Sequence, residues 1–299
     1  MDATPRSAFA EERIAEQPVR EGADIFTATV VDAVELSPGL RRLTLRAAEF
    51  RDLVLTGPDE YFGLFMPPPG RRYRELRSFR GGNIRAHADY LPPEERPGLR
   101  WYTVRRLDPG AGELCFDVAT HGVSPGDLDS DGGDHSGPGL RFTLRARPGD
   151  LVGYYPAHGL WRGYAERQIL IADASSAPSV WAILEFVSLV RPEALSSMHV
   201  LLVVEGDGDL EPGAVDAWRP EVGSLRVARA PFERQAAAAA AELRSLRAAG
   251  HPATGAGYAW ACGERSLAKA CRDELVGGWG VSPDDVRWTP YWILGRPRP

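Results

Sequence analysis

The sequence predicts two domains, an antiparallel β-barrel followed by an α/β domain built on a doubly wound parallel sheet. Three observations carry this. The chain has 299 residues, more than one ordinary core organises. Up to about Ala157 its apolar residues come in short alternating runs cut by Pro and Gly, with hardly a helical period. From Gln168 onward, buried-type strands alternate with helical spacings, which is the pattern of a parallel sheet. The boundaries on this basis are 1–22 for a polar, disordered or frayed arm, 23–163 for the barrel and 164–299 for the α/β domain.

Taken in order, Phe26 to Leu45 gives two strands around the turn Ser37-Pro38-Gly39, the start of an antiparallel barrel. Asp59 to Met66 is a third strand, stopped by Pro67-Pro68-Pro69-Gly70. The loop that follows carries Arg71, Arg72, Arg74, Arg77, Arg80 and Arg85, and it is either a solvated surface or an anion-attracting rim. Next comes Arg100-Trp101-Tyr102-Thr103-Val104-Arg105, bounded by Pro97-Gly98 and Asp108-Pro109-Gly110. Strand alternation puts Arg100, Tyr102 and Val104 on one face and Trp101, Thr103 and Arg105 on the other. A flat ring beside a planar charged fork suits a conjugated ligand that carries phosphate. An ordinary barrel strand with snorkelling arginines is the plainer alternative. Glu113 to Ala119 is a further strand reaching His121-Gly122, and Val123 to Ser136 is a Gly/Asp/Ser-rich loop. Arg141 to Arg147 alternates as another strand, and Pro148-Gly149-Asp150 turns into Leu151 to Tyr155.

In the second half, Gln168 to Ala172 is a short apolar strand ending in Asp173-Ala174-Ser175-Ser176-Ala177-Pro178, and Ser179 to Val190 has helical spacing. His199 to Val204 and Leu225 to Ala228 are strands, and Glu233 to Ala249, with six consecutive alanines, is a strong helix former. Tyr258 to Ala261 is a strand, Glu264 to Leu275 a helix and Val286 to Leu294 the last strand. Ligands of such sheets sit beyond the strand C-termini, which points to Asp173 to Pro178 and to Cys262-Gly263-Glu264. Asp173 to Pro178 also reads as a plain helix cap, and Cys262 as a small buried hydrophobe. A Gly-x-Gly-x-x-Gly fingerprint is absent, which disfavours a standard Rossmann dinucleotide site.

A net charge of −6 gives no support to nucleic-acid binding, and no apolar run approaches a membrane span. Cys115, Cys262 and Cys271 lack zinc or disulfide spacing, so a reducing, cytoplasmic setting is expected. The histidines are scattered without ligand-pair spacing, so no metal site is expected.

The Arg100-x-Tyr102-Thr103-Val104-Arg105 pattern, on a barrel ahead of an α/β domain, resembles the ferredoxin-reductase-like flavoenzymes. It is most similar to the siderophore-interacting protein family, flavin-dependent ferric-siderophore reductases. Asp59 to Pro67 looks like the family's strand before a proline-rich loop, and Arg145 to Gly153 is similar to its Ala-x-Pro-Gly-Asp turn. Tyr258 to Glu264 resembles its Tyr-Ala-Trp-x-x-Gly-Glu strand end, and Tyr291-Trp292 with Gly295 resembles its finish. The matches run in order from Phe26 to Gly295.

The resemblance implies FAD on the barrel, with Arg100 toward the pyrophosphate, Tyr102 against the isoalloxazine, Thr103 near flavin N5 and Arg105 completing the motif. Because Thr103 and Tyr102 alternate faces, a Thr103 contact needs strand twist or its backbone N–H. His121, Gly137, Gly139 and Leu140 stand where the family has its second flavin motif. NADPH or NADH would bind the second domain, with Asp173, Ser175 and Ser176 near its phosphates or ribose, Cys262, Gly263 and Glu264 near the nicotinamide, and Tyr291 and Trp292 on the flavin side of the cleft. Hydride would pass to the flavin and electrons singly to Fe(III) in a small-molecule siderophore, with no residue acting by acid/base chemistry.

Three departures stand out. The second flavin motif is interrupted by the 123–136 insertion, with Leu140 replacing a hydroxyl residue and Phe142 a Trp. Ile293 follows Tyr291-Trp292 where the family tends to have a basic residue. The third is the arginine-rich 71–85 loop. They leave open a repurposed member acting on an organic metabolite in secondary metabolism, with or without flavin, and a non-catalytic small-molecule-binding protein.

Overall fold

The alternating runs of the first half close into one antiparallel sheet of seven strands in the order β4-β3-β7-β1-β2-β6-β5. The computed structural model describes residue 20 and residues 23–129, 137–163 and 165–295. The strands are β1 (Phe26–Ser37), β2 (Leu40–Arg46), β3 (Tyr61–Met66), β4 (Gly98–Thr103), β5 (Arg106–Asp108), β6 (Glu113–Ala119) and β7 (Leu151–Pro156). β4 and β5, the two edges, are one run of chain. Between them Val104 donates its N–H to Glu60 O, and Arg105 donates its N–H to Cys115 O, each at 2.8 Å. The Arg100–Arg105 stretch therefore carries the chain from one sheet edge to the other, which is how the barrel avoids exposed edges. Leu43, Leu45, Phe62, Leu64, Phe116, Val152 and Tyr154 fill its interior.

Two sequence expectations change. Arg141 to Arg147 is not a strand, and residues 141–145 belong to helix α1 (Pro138–Arg145). Gly137-Pro138 opens it as cap and first-turn proline, and Gly139 and Thr143 are buried one turn apart, a period that five alternating residues do not reveal. The arginine-rich segment is more than a solvated run. Tyr73, Leu76, Ala88 and Leu91 from it pack with Phe65 and Leu99 into a small core of their own, while the arginines stay exposed. The expected arm lies outside the described residues except for Arg20, which pairs with Glu60. Of the 123–136 loop, Pro125–Asp129 forms a 3₁₀ turn and residues 130–136 lie outside the described residues.

The chain divides into two units between Gly159 and Leu160. The second has a wholly parallel five-stranded sheet in the order β10-β9-β8-β11-β12. Its elements are β8 (Gln168–Ala172), α2 (Ala177–Val190), β9 (Met198–Val204), α3 (Ala214–Trp218), β10 (Ser224–Arg229), α4 (Phe232–Ala248), β11 (Tyr258–Glu264), α5 (Arg265–Asp273) and β12 (Val286–Trp292). The three central strands, β9, β8 and β11, are mostly apolar and are buried on both faces, which is what a doubly covered sheet requires. Only α3 went unpredicted. The strand order reverses between β8 and β11, and the crevice beyond their C-terminal ends is where such sheets place ligands. Among the described residues no helix is long and apolar enough to cross a membrane.

Candidate functional site

On the barrel, the site is built where α1 starts against β4. β4 pairs with β3 so that Phe62 faces Tyr102 and Leu64 faces Arg100. Tyr102 sends its ring onto the core, 5.0 Å from Phe116 between centroids, while Trp101 on the opposite face packs 5.3 Å from Tyr61. The alternation expected of this strand is therefore present.

Gly139 is a glycine because of what lies over it. A Cβ there would fall 2.5 Å from the Tyr102 hydroxyl and 3.0 Å from Arg100 Cγ. The Tyr102 hydroxyl bonds Thr143, and burial pushes its pKa up to about 12. Thr143 in turn donates to Gly139 O at 2.8 Å, so ring, helix and glycine form one tethered unit. Gly137 caps α1 without a side-chain hydrogen bond, and the first-turn N–H groups of Gly139 and Leu140 have no intrahelical acceptor.

Arg100 lies beside this helix start, its Nη2 3.8 Å from where a Gly137 Cβ would be. Its Nη1 donates to Leu99 O at 2.7 Å, and no carboxylate of the described residues pairs with it. Burial lowers its pKa, and the like charge of Arg85 adds to the effect. A half-buried guanidinium that pairs with no carboxylate of the described residues, next to open N–H groups and the positive end of a helix, has the chemistry that an anion requires. The residues present fit the pyrophosphate of a flavin dinucleotide.

The other barrel candidates are placed differently. Thr103 is 6% exposed, and Arg105, 4% exposed, is turned to Asp117 at 3.9 Å. Asp117 also receives Arg42 at 2.6 and 2.8 Å. His121 has a left-handed φ of 54°, followed by Gly122 at 73°, and this pair reverses the chain after β6. Leu140 is half-buried and offers only its backbone N–H.

In the second unit, the candidates from three strand ends converge on one carboxylate. Asp173, 2% exposed, receives the N–H of Glu264 at 2.7 Å and the indole N–H of Trp292 at 2.8 Å on Oδ2. Its Oδ1 receives the N–H groups of Ser175 and Ser176 at 2.9 and 3.1 Å and the Ser175 hydroxyl at 2.6 Å. Ser176 Oγ donates to Cys262 O at 2.8 Å. Gly263 has φ 140°, and a Cβ there would meet the Asp173 carboxyl at 2.7 Å. Glu264 caps α5, accepting from Ser266 and Leu267 N–H at 2.5 and 3.2 Å on Oε2, and from Leu294 N–H at 3.2 Å on Oε1. The Tyr291 hydroxyl meets Ser179 Oγ at 3.1 Å.

The start of α2 is satisfied from within. Ala177 donates to Asp173 O, Ser179 to Ser176 O, and Pro178 has no N–H. The Asp173 carboxylate takes the Ser175 and Ser176 N–H groups just before this helix start. Sequence reasoning missed Ser179, Phe232, which packs 5.6 Å from Trp292, and Thr143. None of them carries a local motif.

Comparison with known proteins gives the family and the fold. A family profile described as the siderophore-interacting FAD-binding domain matches residues 29–157, and one described as siderophore-interacting protein matches residues 165–295. The ferric vibriobactin reductase ViuB of Vibrio cholerae is 26% identical over 264 residues, covering 87% of this chain and 86% of its own. The crystal structure of the siderophore-interacting protein SipS from Aeromonas hydrophila superposes with a TM-score of 0.62 at 25% identity, over 92% of this chain and 94% of that one. A siderophore utilization protein from T. fusca shares the fold with a TM-score of 0.62 at 20% identity, over 94% and 98% of the two chains. The architecture is ferredoxin-reductase-like, and the chain belongs to the siderophore-interacting protein family.

Proposed function

We propose that the protein is an FAD-dependent oxidoreductase that takes reducing equivalents from NADH or NADPH and reduces ferric iron held in a siderophore. The observation that carries this is Arg100, a half-buried cation without a carboxylate partner among the described residues, set against the glycine-lined start of α1 beside Tyr102. The family supports it, as does the activity in the name of its Vibrio cholerae relative.

In this reading, Arg100 and the N–H groups of Gly139 and Leu140 hold the pyrophosphate, and Gly137 keeps the approach open. Tyr102, its hydroxyl anchored to Thr143, presents a ring of fixed orientation to the flavin, with Thr103 next along the strand. His121 shapes the turn that leads toward α1, and Arg105 stiffens the strand through Asp117. Asp173, Ser175, Ser176, Cys262, Gly263 and Glu264, with Tyr291 and Trp292, form the edge that receives the nicotinamide dinucleotide. Bound flavin supplies the exchange between a two-electron hydride donor and one-electron ferric iron. The side chains act by positioning, and the hydrogen bonds that Asp173 accepts hold the three strand ends in place. Ferrous iron binds hard siderophore oxygens less tightly, so reduction releases it.

Leu140 and Ile293 favour a second reading, a flavin enzyme acting on an organic metabolite. The test is the absorbance spectrum of the purified, FAD-loaded protein before and after NAD(P)H, followed by addition of a ferric siderophore. Bleaching that the ferric chelate reverses is expected, with Arg100→Ala failing to retain FAD. A protein that binds no FAD overturns the proposal, and bleaching that no ferric chelate reverses favours the metabolite reading.

A further inference from the structure

One strand out from the crevice, β9 runs into Glu205-Gly206-Asp207-Gly208-Asp209, three carboxylates in five residues. The turn is fixed by Asp209, 8% exposed, whose Oδ2 accepts the N–H groups of Glu205 and Gly206 at 3.0 Å each. Asp207 pairs with Arg229 at 2.6 Å, which neutralises the arginine at the end of β10. Glu205 is exposed, and its Oε1 accepts the N–H of Phe232, the first residue of α4, at 3.3 Å. Arg234, exposed on the first turn of α4 beside Glu233, forms no ion pair among the described residues.

In doubly wound sheets the adenosine ribose reaches this strand end, where a carboxylate accepts a hydrogen bond from the 2′-hydroxyl and a 2′-phosphate needs a cation. We infer that Glu205 determines the choice of reductant and selects a nicotinamide dinucleotide with a free 2′-hydroxyl, NADH, over the 2′-phosphorylated NADPH. The inference rests on the reading of this edge as the reductant's site.

Two physical reasons support it. A 2′-phosphate would meet the carboxylates of Glu205 and Glu233, the charges of Asp207 and Arg229 offsetting each other, with Arg234 the nearby arginine that forms no ion pair among the described residues, and like charges at contact are strongly discriminating. The start of α4, a helix of 17 residues, would otherwise attract an anion, but Glu205 already places its own carboxylate on the first N–H. With the start of α2 occupied by Asp173, less of the dinucleotide's binding comes from its pyrophosphate and more from the ribose end.

The experiment titrates NAD⁺ and NADP⁺ calorimetrically into the FAD-loaded full chain, alongside anaerobic bleaching by NADH and NADPH. NAD⁺ is expected to bind roughly tenfold or more tightly than NADP⁺. Glu205→Gln and Glu205→Ser should narrow that gap, chiefly by strengthening NADP⁺, with flavin content and circular dichroism confirming an intact fold. Equal or tighter binding of NADP⁺ by the native protein overturns the inference, as does a ratio that neither substitution moves. A preference for NADPH that is lost in Arg234→Ala overturns the role of Glu205 and leaves the reading of the edge standing. If neither nucleotide binds at millimolar concentration while dithionite still bleaches the flavin, the nicotinamide reading falls and the inference with it, and the FAD site stands.

Discussion

Trp292 gives its indole N–H to Asp173 Oδ2 at 2.8 Å, on the same oxygen that the Glu264 N–H reaches at 2.7 Å. These residues end β12, β8 and β11. One buried carboxylate thus ties together three parallel strands whose pairing alone does not fix how their ends lie.

Trp292→Phe keeps the bulk and removes one donor from Asp173. A loss of about 1–2 kcal/mol from the second unit is expected, because the remaining donors still satisfy most of the carboxylate. Asp173→Asn should cost about 3 kcal/mol, since an amide N–H₂ would face donors it cannot accept. Urea unfolding followed by tryptophan fluorescence checks both, and the ranking reverses if Asp173 is a mere spacer.

Gly139→Ala sets a methyl group against the Tyr102 hydroxyl, 2.5 Å away, and displaces the start of α1. FAD affinity should fall about tenfold or more, measured by quenching of flavin fluorescence. Tyr102→Phe removes the clashing oxygen, so the double variant should recover part of that loss, a coupling that additive effects would not show.

Arg20 holds Glu60, which is fully buried and also accepts from Thr56 N and Oγ1 at 2.6 and 2.8 Å. Burial raises the Glu60 pKa, and Arg20 and Thr56 offset part of that rise. Between the ordinary carboxylate value and the raised one, the folded state keeps a proton that the unfolded state has released, so stability falls as pH rises through that window. Arg20→Ala widens the window. The barrel should lose about 3–5 kcal/mol at pH 7.5 and clearly less at pH 5, read from urea midpoints at the two values. An equal loss at both would show that the guanidinium acts by packing alone.

His199, 3% exposed, has Nδ1 2.9 Å from Ser224 Oγ and its ring 5.4 Å from that of His251. Burial, with His251 and Arg167 adding to it, lowers its pKa to about 4. Between the ordinary value and that one, the unfolded chain binds a proton that the folded chain refuses, so the second unit loses stability as pH falls through that window. His199→Gln should remove up to about 3 kcal/mol of that pH dependence, checked by thermal unfolding from pH 7 to pH 4. A slope that persists in the variant places its source elsewhere.

Much of the site could be read in the sequence because its residues sit at element ends with local signatures. Arg100 to Arg105 stands between breakers, Asp173 and Ser176 follow an apolar run, and Gly263 closes another. What escaped was long-range. Nothing near Arg141-Phe142-Thr143 says that Thr143 will meet a tyrosine, so a helix of eight residues read as a strand. Nor does the arginine run between β3 and β4 announce that Tyr73 and Leu76 will find Phe65 and Leu99.

The sequence by itself determined the two-part architecture, the strand from Arg100 and most of the strands and helices of the second unit. Periodicity and turn residues act over a few neighbours, and those features are written at that range. Only the tertiary structure decided how the candidates divide. Arg100 has no carboxylate partner among the described residues, while Arg105 is turned to Asp117, and Asp173 is enclosed by donors from residues as distant as Trp292. Burial and charge pairing depend on which segments the fold brings together, and no local pattern encodes that.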